Sequence, residues 1–126
     1  LGQALLAPTT IYNRPLLALQ QEVTISAMAH ITGGGILENL PRVLPKGLGA
    51  SIRRDSWELP AVFQWLQKGG NIADQEMMRT FNCGVGMIIV LPAPEAAKAL
   101  SVLADHGIVG WELGTINDGD AGLKIQ

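Results

Sequence analysis

The hydrophobic pattern changes period several times along this chain, and each change predicts an element. Gly86-Met87-Ile88-Ile89-Val90-Leu91 is apolar without a break. Such a run predicts a central strand covered on both faces. Residues 25–29, interrupted by Ser26, predict a strand ending near His30. Residues 50–53 predict a short strand and residues 108–116 a last main strand. Asn117-Asp118-Gly119-Asp120 is turn chemistry and predicts a hairpin to residues 123–125. Helical spacing marks the rest. Pro15 opens a helix to about Gln21, with Leu16, Leu17 and Leu19 apolar. A short helix follows Gly35 and stops at Pro41. Pro60 opens another, with Val62, Phe63 and Leu66 on its apolar face and Gly69-Gly70 at its end. Asn71 is expected to cap the start of a helix through Met77 and Met78, with Asp74 three residues on. Pro94-Glu95 start an amphipathic helix with Ala96, Ala97, Leu100, Leu103 and Ala104 facing inward and Gly107 ending it.

Strands and helices without strict alternation predict an α+β fold: a mixed, largely antiparallel sheet of four to six strands with helices packed on it. Residues 1–14, with Pro8 and Thr9-Thr10, read as an extended lead-in segment, and residues 15–126 as a single domain. A chain of 126 residues with 48% hydrophobic residues builds a real core and is not disordered. The net charge of −2, with Arg53-Arg54 the only adjacent cationic pair, offers nothing to nucleic acid. No apolar run approaches the roughly 20 residues of a membrane span. The three tryptophans, Trp57, Trp65 and Trp111, are isolated and read as core or edge packing.

Cys83 is the single cysteine, which excludes an internal disulfide and points to a reducing, cytoplasmic setting. It reads as a nucleophile or as a small buried side chain. Two histidines and one cysteine do not compose a zinc site. Glu38, Asp55, Glu58, Asp74 and Glu76 are scattered as on a solvated face, and Asp118 and Asp120 fit a turn, so no metal ligand is assigned. Leu1 is followed by no charged leader, so no signal peptide is read; the chain is expected to be an internal or C-terminal piece of a longer protein.

Two segments carry the candidate chemistry. His30-Ile31-Thr32-Gly33-Gly34-Gly35 places three glycines between a strand and a short helix. That arrangement suits an anion, because helix starts offer unpaired N–H groups and glycine lets the backbone approach a ligand. It equally suits a tight turn with no ligand, and it matches no named nucleotide loop. Arg79-Thr80-Phe81-Asn82-Cys83-Gly84-Val85-Gly86 is a second polar, glycine-bearing loop leading into the strong strand. Two such loops in one small domain favour a ligand site over plain turns.

These segments, with Glu38-Asn39-Leu40-Pro41-Arg42-Val43-Leu44-Pro45 and Pro8-Thr9-Thr10-Ile11-Tyr12, resemble the C-terminal domain of phosphoribosylformylglycinamidine cyclo-ligases, also called aminoimidazole ribonucleotide synthetases. The resemblance runs to residues 110–116 near the end of the chain. Thr10 departs from it, since that family usually has arginine there. The resemblance implies an ATP-dependent step of purine biosynthesis. The formyl amide oxygen of formylglycinamidine ribonucleotide is phosphorylated, the amidine nitrogen attacks, and the imidazole ring closes with loss of phosphate. It implies His30 as a catalytic or orienting group with Thr32. It implies Gly33, Gly34 and Gly35 as backbone donors to phosphate or substrate, and Asn82, Gly84 and Gly86 as the neighbouring wall. Arg79 is either a phosphate partner or a structural partner of Glu76. ATP and Mg2+ are expected mainly on an N-terminal domain, with which this domain forms a cleft in a homodimer. Selenophosphate synthetase, thiamine-phosphate kinase and formylglycinamidine ribonucleotide synthetase share that two-domain plan and remain alternatives. A non-catalytic domain binding a metabolite or phosphate is a further one.

Overall fold

The structure, a computed structural model, describes residues 2–119 and 122–126. Among the described residues five strands and six α-helices alternate irregularly: α1 Gly2–Leu5, α2 Asn13–Glu22, β1 Ala27–His30, α3 Gly35–Asn39, β2 Leu48–Ile52, α4 Ala61–Gly70, α5 Asp74–Thr80, β3 Met87–Val90, α6 Ala96–Asp105, β4 Gly114–Asp118 and β5 Leu123–Ile125. The fold is α+β, as the pattern predicts, but the strands divide between two sheets. β1 and β3 form an antiparallel ribbon, with Ala27 opposite Val90 and His30 opposite Met87. The second sheet has the order β4-β2-β5, antiparallel between β2 and β4 and parallel between β2 and β5.

The ribbon is sandwiched, and strand periodicity sorts its side chains. Ile88 and Val90 turn towards the main core, where Ala29, Ile31, Ile36, Leu40, Ala50, Ile52 and Val85 are buried. Ile89 and Leu91 turn the other way, onto Leu19 and Val23 at the α2 side and Ala99 of α6. β3 is therefore covered on both faces, as its apolar run requires, yet it lies in a two-stranded ribbon rather than at the centre of a sheet. A third cluster joins Met77 and Met78 of α5 to Cys83 and to Leu37, Phe63 and Phe81. An ion pair from Lys98 Nζ to Glu22 Oε2, 2.8 Å long, and the Thr24 amide donating to Glu95 link α2 and its exit to the α6 side.

Other elements depart from the sequence pattern for identifiable reasons. Residues 2–5 form one helical turn instead of an extended strip, and α2 begins at Asn13, two residues ahead of Pro15. Asn71 ends α4 in the left-handed conformation (φ 48°) instead of starting α5, for which Ala73 stands at the cap position. Asparagine tolerates that conformation better than most residues, so its two cap roles compete. On α6 the inward residues are Ala96, Ala99, Leu100, Val102 and Leu103, while Ala97 and Ala104 are exposed. The last long strand is confined to Gly114–Asp118. Its ladder ends where the Arg53 amide donates to Leu113 O (2.9 Å) and Arg53 Nη2 to Glu112 O (2.6 Å). No hairpin joins β4 to β5, because β2 lies between them. On either side of the undescribed residues, the Gly119 amide donates to Gly47 O and the Ala50 amide to Gly122 O. Asp120, part of the expected turn, lies outside the described residues. No helix among the described residues is long and apolar enough to cross a membrane.

Candidate functional site

The β1–β3 register brings the two glycine loops together. β1 ends at His30, opposite Met87 at the start of β3. One step further on, the Ile31 amide donates to Gly86 O at 2.9 Å. The end of the first loop's strand is thus bonded to the last residue of the second loop, across 55 positions of sequence that no local pattern spans.

Within the first loop the three glycines do different things. Gly34 has φ 98° and caps the start of α3. Gly35 has φ 56°, and a Cβ on it would overlap the Met78 and Phe81 carbonyls, so it is where α3 lies directly on α5. Gly33 has open space where a side chain would be. Asn39, almost fully buried, donates from Nδ2 towards three carbonyls: Gly35 (2.8 Å), Gly33 (3.2 Å) and, weakly, Thr32 (3.4 Å). With those carbonyls drawn inward, the Gly33 and Gly34 amides find no acceptor among the described residues. α3 itself has only five residues, so its dipole adds little and the donors are mainly those of the loop. Thr32 is exposed beside them.

The second loop is shaped by Asn82, whose Oδ1 accepts from the Gly84 amide (3.0 Å) while its carbonyl accepts from Val85 (2.9 Å). Cys83 is fully buried, with Sγ 3.3 Å from Met77 O and its own carbonyl accepting from Trp57 Nε1 (2.9 Å). Burial pushes its thiol up, opposed in part by Arg54. A buried, proton-holding thiol is not a nucleophile at neutral pH, so Cys83 is a packing residue. Arg79 follows Met78 on α5, and its guanidinium lies 3.9 Å from Glu76. Arg42 lies 3.7 Å from Glu38 of α3. Both pairs are half exposed and hold their cations only loosely.

His30 is exposed at the end of the ribbon, and the ring of Tyr12 meets it edge-on, centroids 6.2 Å apart. Tyr12 is the residue that sequence reasoning overlooked at this site. It is 18 positions from His30, and no periodicity connects the two. Below Tyr12 and Gly86 opens a mostly apolar hollow of about 990 Å3, which reaches Trp111. Trp111 Nε1 is buried there without a hydrogen-bond partner among the described residues. Among the described residues no three His, Cys, Asp or Glu side chains converge as metal ligands. The arrangement can present backbone N–H donors, an imidazole and a hydroxyl to a polar or anionic group lying across the two loops.

Residues 1–125 match the family model described as AIR synthase related protein, C-terminal domain. The chain is also similar to curated proteins named phosphoribosylformylglycinamidine cyclo-ligase. That of Methylobacillus flagellatus is 54% identical over 117 residues, covering 93% of this chain and 34% of the relative. That of Burkholderia mallei is 53% identical over 116 residues, covering 92% and 33%. That of Burkholderia lata is 52% identical over the same length and shares. The chain thus spans about a third of the length of the curated relatives it matches.

Proposed function

This chain belongs to the AIR synthase related protein, C-terminal domain, family, and from that premise we propose that it forms one wall of the active cleft of a cyclo-ligase of purine biosynthesis. The proposed substrate is formylglycinamidine ribonucleotide and the product aminoimidazole ribonucleotide. The observation that supports this most is the bond from Ile31 to Gly86, which sets two donor-bearing glycine loops side by side.

In this reading the free amides of Gly33 and Gly34 receive a phosphate or amide oxygen of the substrate. Fixed backbone donors need no reorganisation as charge develops on that oxygen, which is how such groups lower a barrier. Thr32 and His30 flank the same opening and orient the substrate, and Asn82 with Gly84 and Gly86 shapes the opposite side. Gly35 acts through packing. By the family resemblance, ATP and Mg2+ would belong mainly to an N-terminal domain of the same enzyme. ATP would supply the phosphoryl group that activates the formyl oxygen. The complete enzyme would be a cytoplasmic homodimer, and these 126 residues alone would bind without turnover.

The test is a titration of the isotopically labelled chain with formylglycinamidine ribonucleotide, and separately with ATP and magnesium, followed by amide shifts. Saturable shifts centred on residues 30–35 and 82–86 with the ribonucleotide are the expected result. A folded chain whose loop amides do not move with either ligand would overturn the reading. Loop shifts with the ribonucleotide, but no turnover once an N-terminal domain is supplied, would instead indicate a metabolite-binding domain.

A further inference from the structure

Tyr12 lies outside both glycine loops, yet it touches each of them. Its ring stands at 71° to the His30 imidazole, in the edge-to-face arrangement that aromatic quadrupoles favour. Its hydroxyl occupies the space that a Cβ on Gly86 would need, with Cζ 3.2 Å from that position. Gly86 is the residue whose carbonyl receives the Ile31 amide. One side chain therefore contacts the seam from both sides: His30 at the end of β1, and Gly86 just before β3.

The backbone of Tyr12 is fixed independently of the loops. Its carbonyl accepts from the Leu16 amide (2.9 Å) and begins α2. α2 in turn is anchored by fully buried Leu19 against the ribbon and α6. The helix thus fixes where the Tyr12 side chain begins, and the ring reaches from there to His30 and Gly86. No hydrogen bond joins phenol and imidazole among the described residues, so the contact is one of shape and ring electrostatics.

We propose that Tyr12 is a positioning residue of the two-loop site, holding the His30 ring over the opening and requiring glycine at position 86. This rests on the reading of the loops as a ligand wall. It explains why Gly86 is a glycine although its backbone is not in the left-handed region: the missing Cβ makes room for the phenol.

The experiment uses the 126-residue chain and follows the imidazole proton and carbon signals of His30, with formylglycinamidine ribonucleotide as the binding probe. Tyr12→Phe keeps the ring and is expected to leave the His30 signals close to those of the unaltered chain. Tyr12→Leu removes the ring current and the restraint; the His30 signals should move, and binding should weaken by between about twofold and tenfold, the upper figure being the whole of a lost edge-to-face pair. Gly86→Ala should displace the phenol and move the His30 signals in the same sense. Combined with Tyr12→Phe, which removes the overlapping oxygen, Gly86→Ala should restore them. Unmoved His30 signals in a folded Tyr12→Leu chain, or no restoration in the double variant, would overturn the proposal. Failure of the unaltered chain to bind the ribonucleotide would overturn the proposed function alone. The Gly86→Ala chain would then still decide the placement by Tyr12, supporting it if adding Tyr12→Phe restores the His30 signals and refuting it if it does not.

Discussion

Glycine carries three separate jobs in three consecutive positions, and the structure distinguishes them. Gly35 lies against the Met78 and Phe81 carbonyls with a positive φ, so Gly35→Ala combines backbone strain with overlap on atoms that cannot move aside. It should lower unfolding free energy by about 3 kcal/mol in urea denaturation. Gly33→Ala meets open space and should stay within about 0.5 kcal/mol of the parent chain. Equal losses at both positions would show that the loop, rather than its contact with α5, governs stability. Cys83 gives a residue-level pH dependence. Its folded thiol titrates above the ordinary range because burial disfavours the thiolate. Between the unfolded and folded values the native state holds the extra proton, so stability falls as pH rises through that interval. Urea midpoints from pH 7 to 10 should decline more steeply for the parent than for Cys83→Ala, which lacks the group. The sequence had already named His30, the glycines and Asn82. It could not rank Gly33 against Gly35, since both are the same letter and only the neighbouring carbonyls of α5 separate them.

At the level of elements, helical phase decides which leucine matters. Leu19 on α2 is fully buried against Val23 and Ala99, whereas Leu17 on the same helix is 61% exposed. Leu19→Ala should cost about 3 kcal/mol, because the cavity would lie where α2, α6 and the ribbon meet. Leu17→Ala should change stability by no more than about 0.5 kcal/mol. A comparison of thermal midpoints for the two variants checks this, and similar losses would mean that α2 does not pack in the orientation described. Period and breakers made the helices legible: α3, α4 and α6 lie near their expected positions, bounded by Pro41, Gly69-Gly70 and Gly107. The strands were less legible. Apolar alternation in residues 108–113 suits a strand, but a strand also needs a partner, and β2 ends its ladder at Ile52 opposite Gly114. The turn-forming run after Ile116 suits a hairpin equally well on paper. Pairing of β5 on the far side of β2 is a long-range choice that local turn chemistry does not encode.

For the molecule as a whole, the α+β class followed from the mixture of helical and strand periods, and the family resemblance followed from the two glycine loops with residues 8–12, 38–45 and 110–116. The match of residues 1–125 to the AIR synthase related C-terminal domain bears out that resemblance. These features were readable because period, glycine placement and proline breaks are written locally, residue by residue. The division of the strands into a ribbon and a separate three-stranded sheet was decided only by tertiary structure. So was the bond that joins Ile31 to Gly86 and the seating of Tyr12 against both. Each of these depends on which distant segments share a core, and burial energy depends on the whole set of contacts rather than on any segment's own pattern. The sequence by itself therefore singled out the two glycine-bearing loops, and the packing of α2, α5 and the ribbon determined that they stand beside one another.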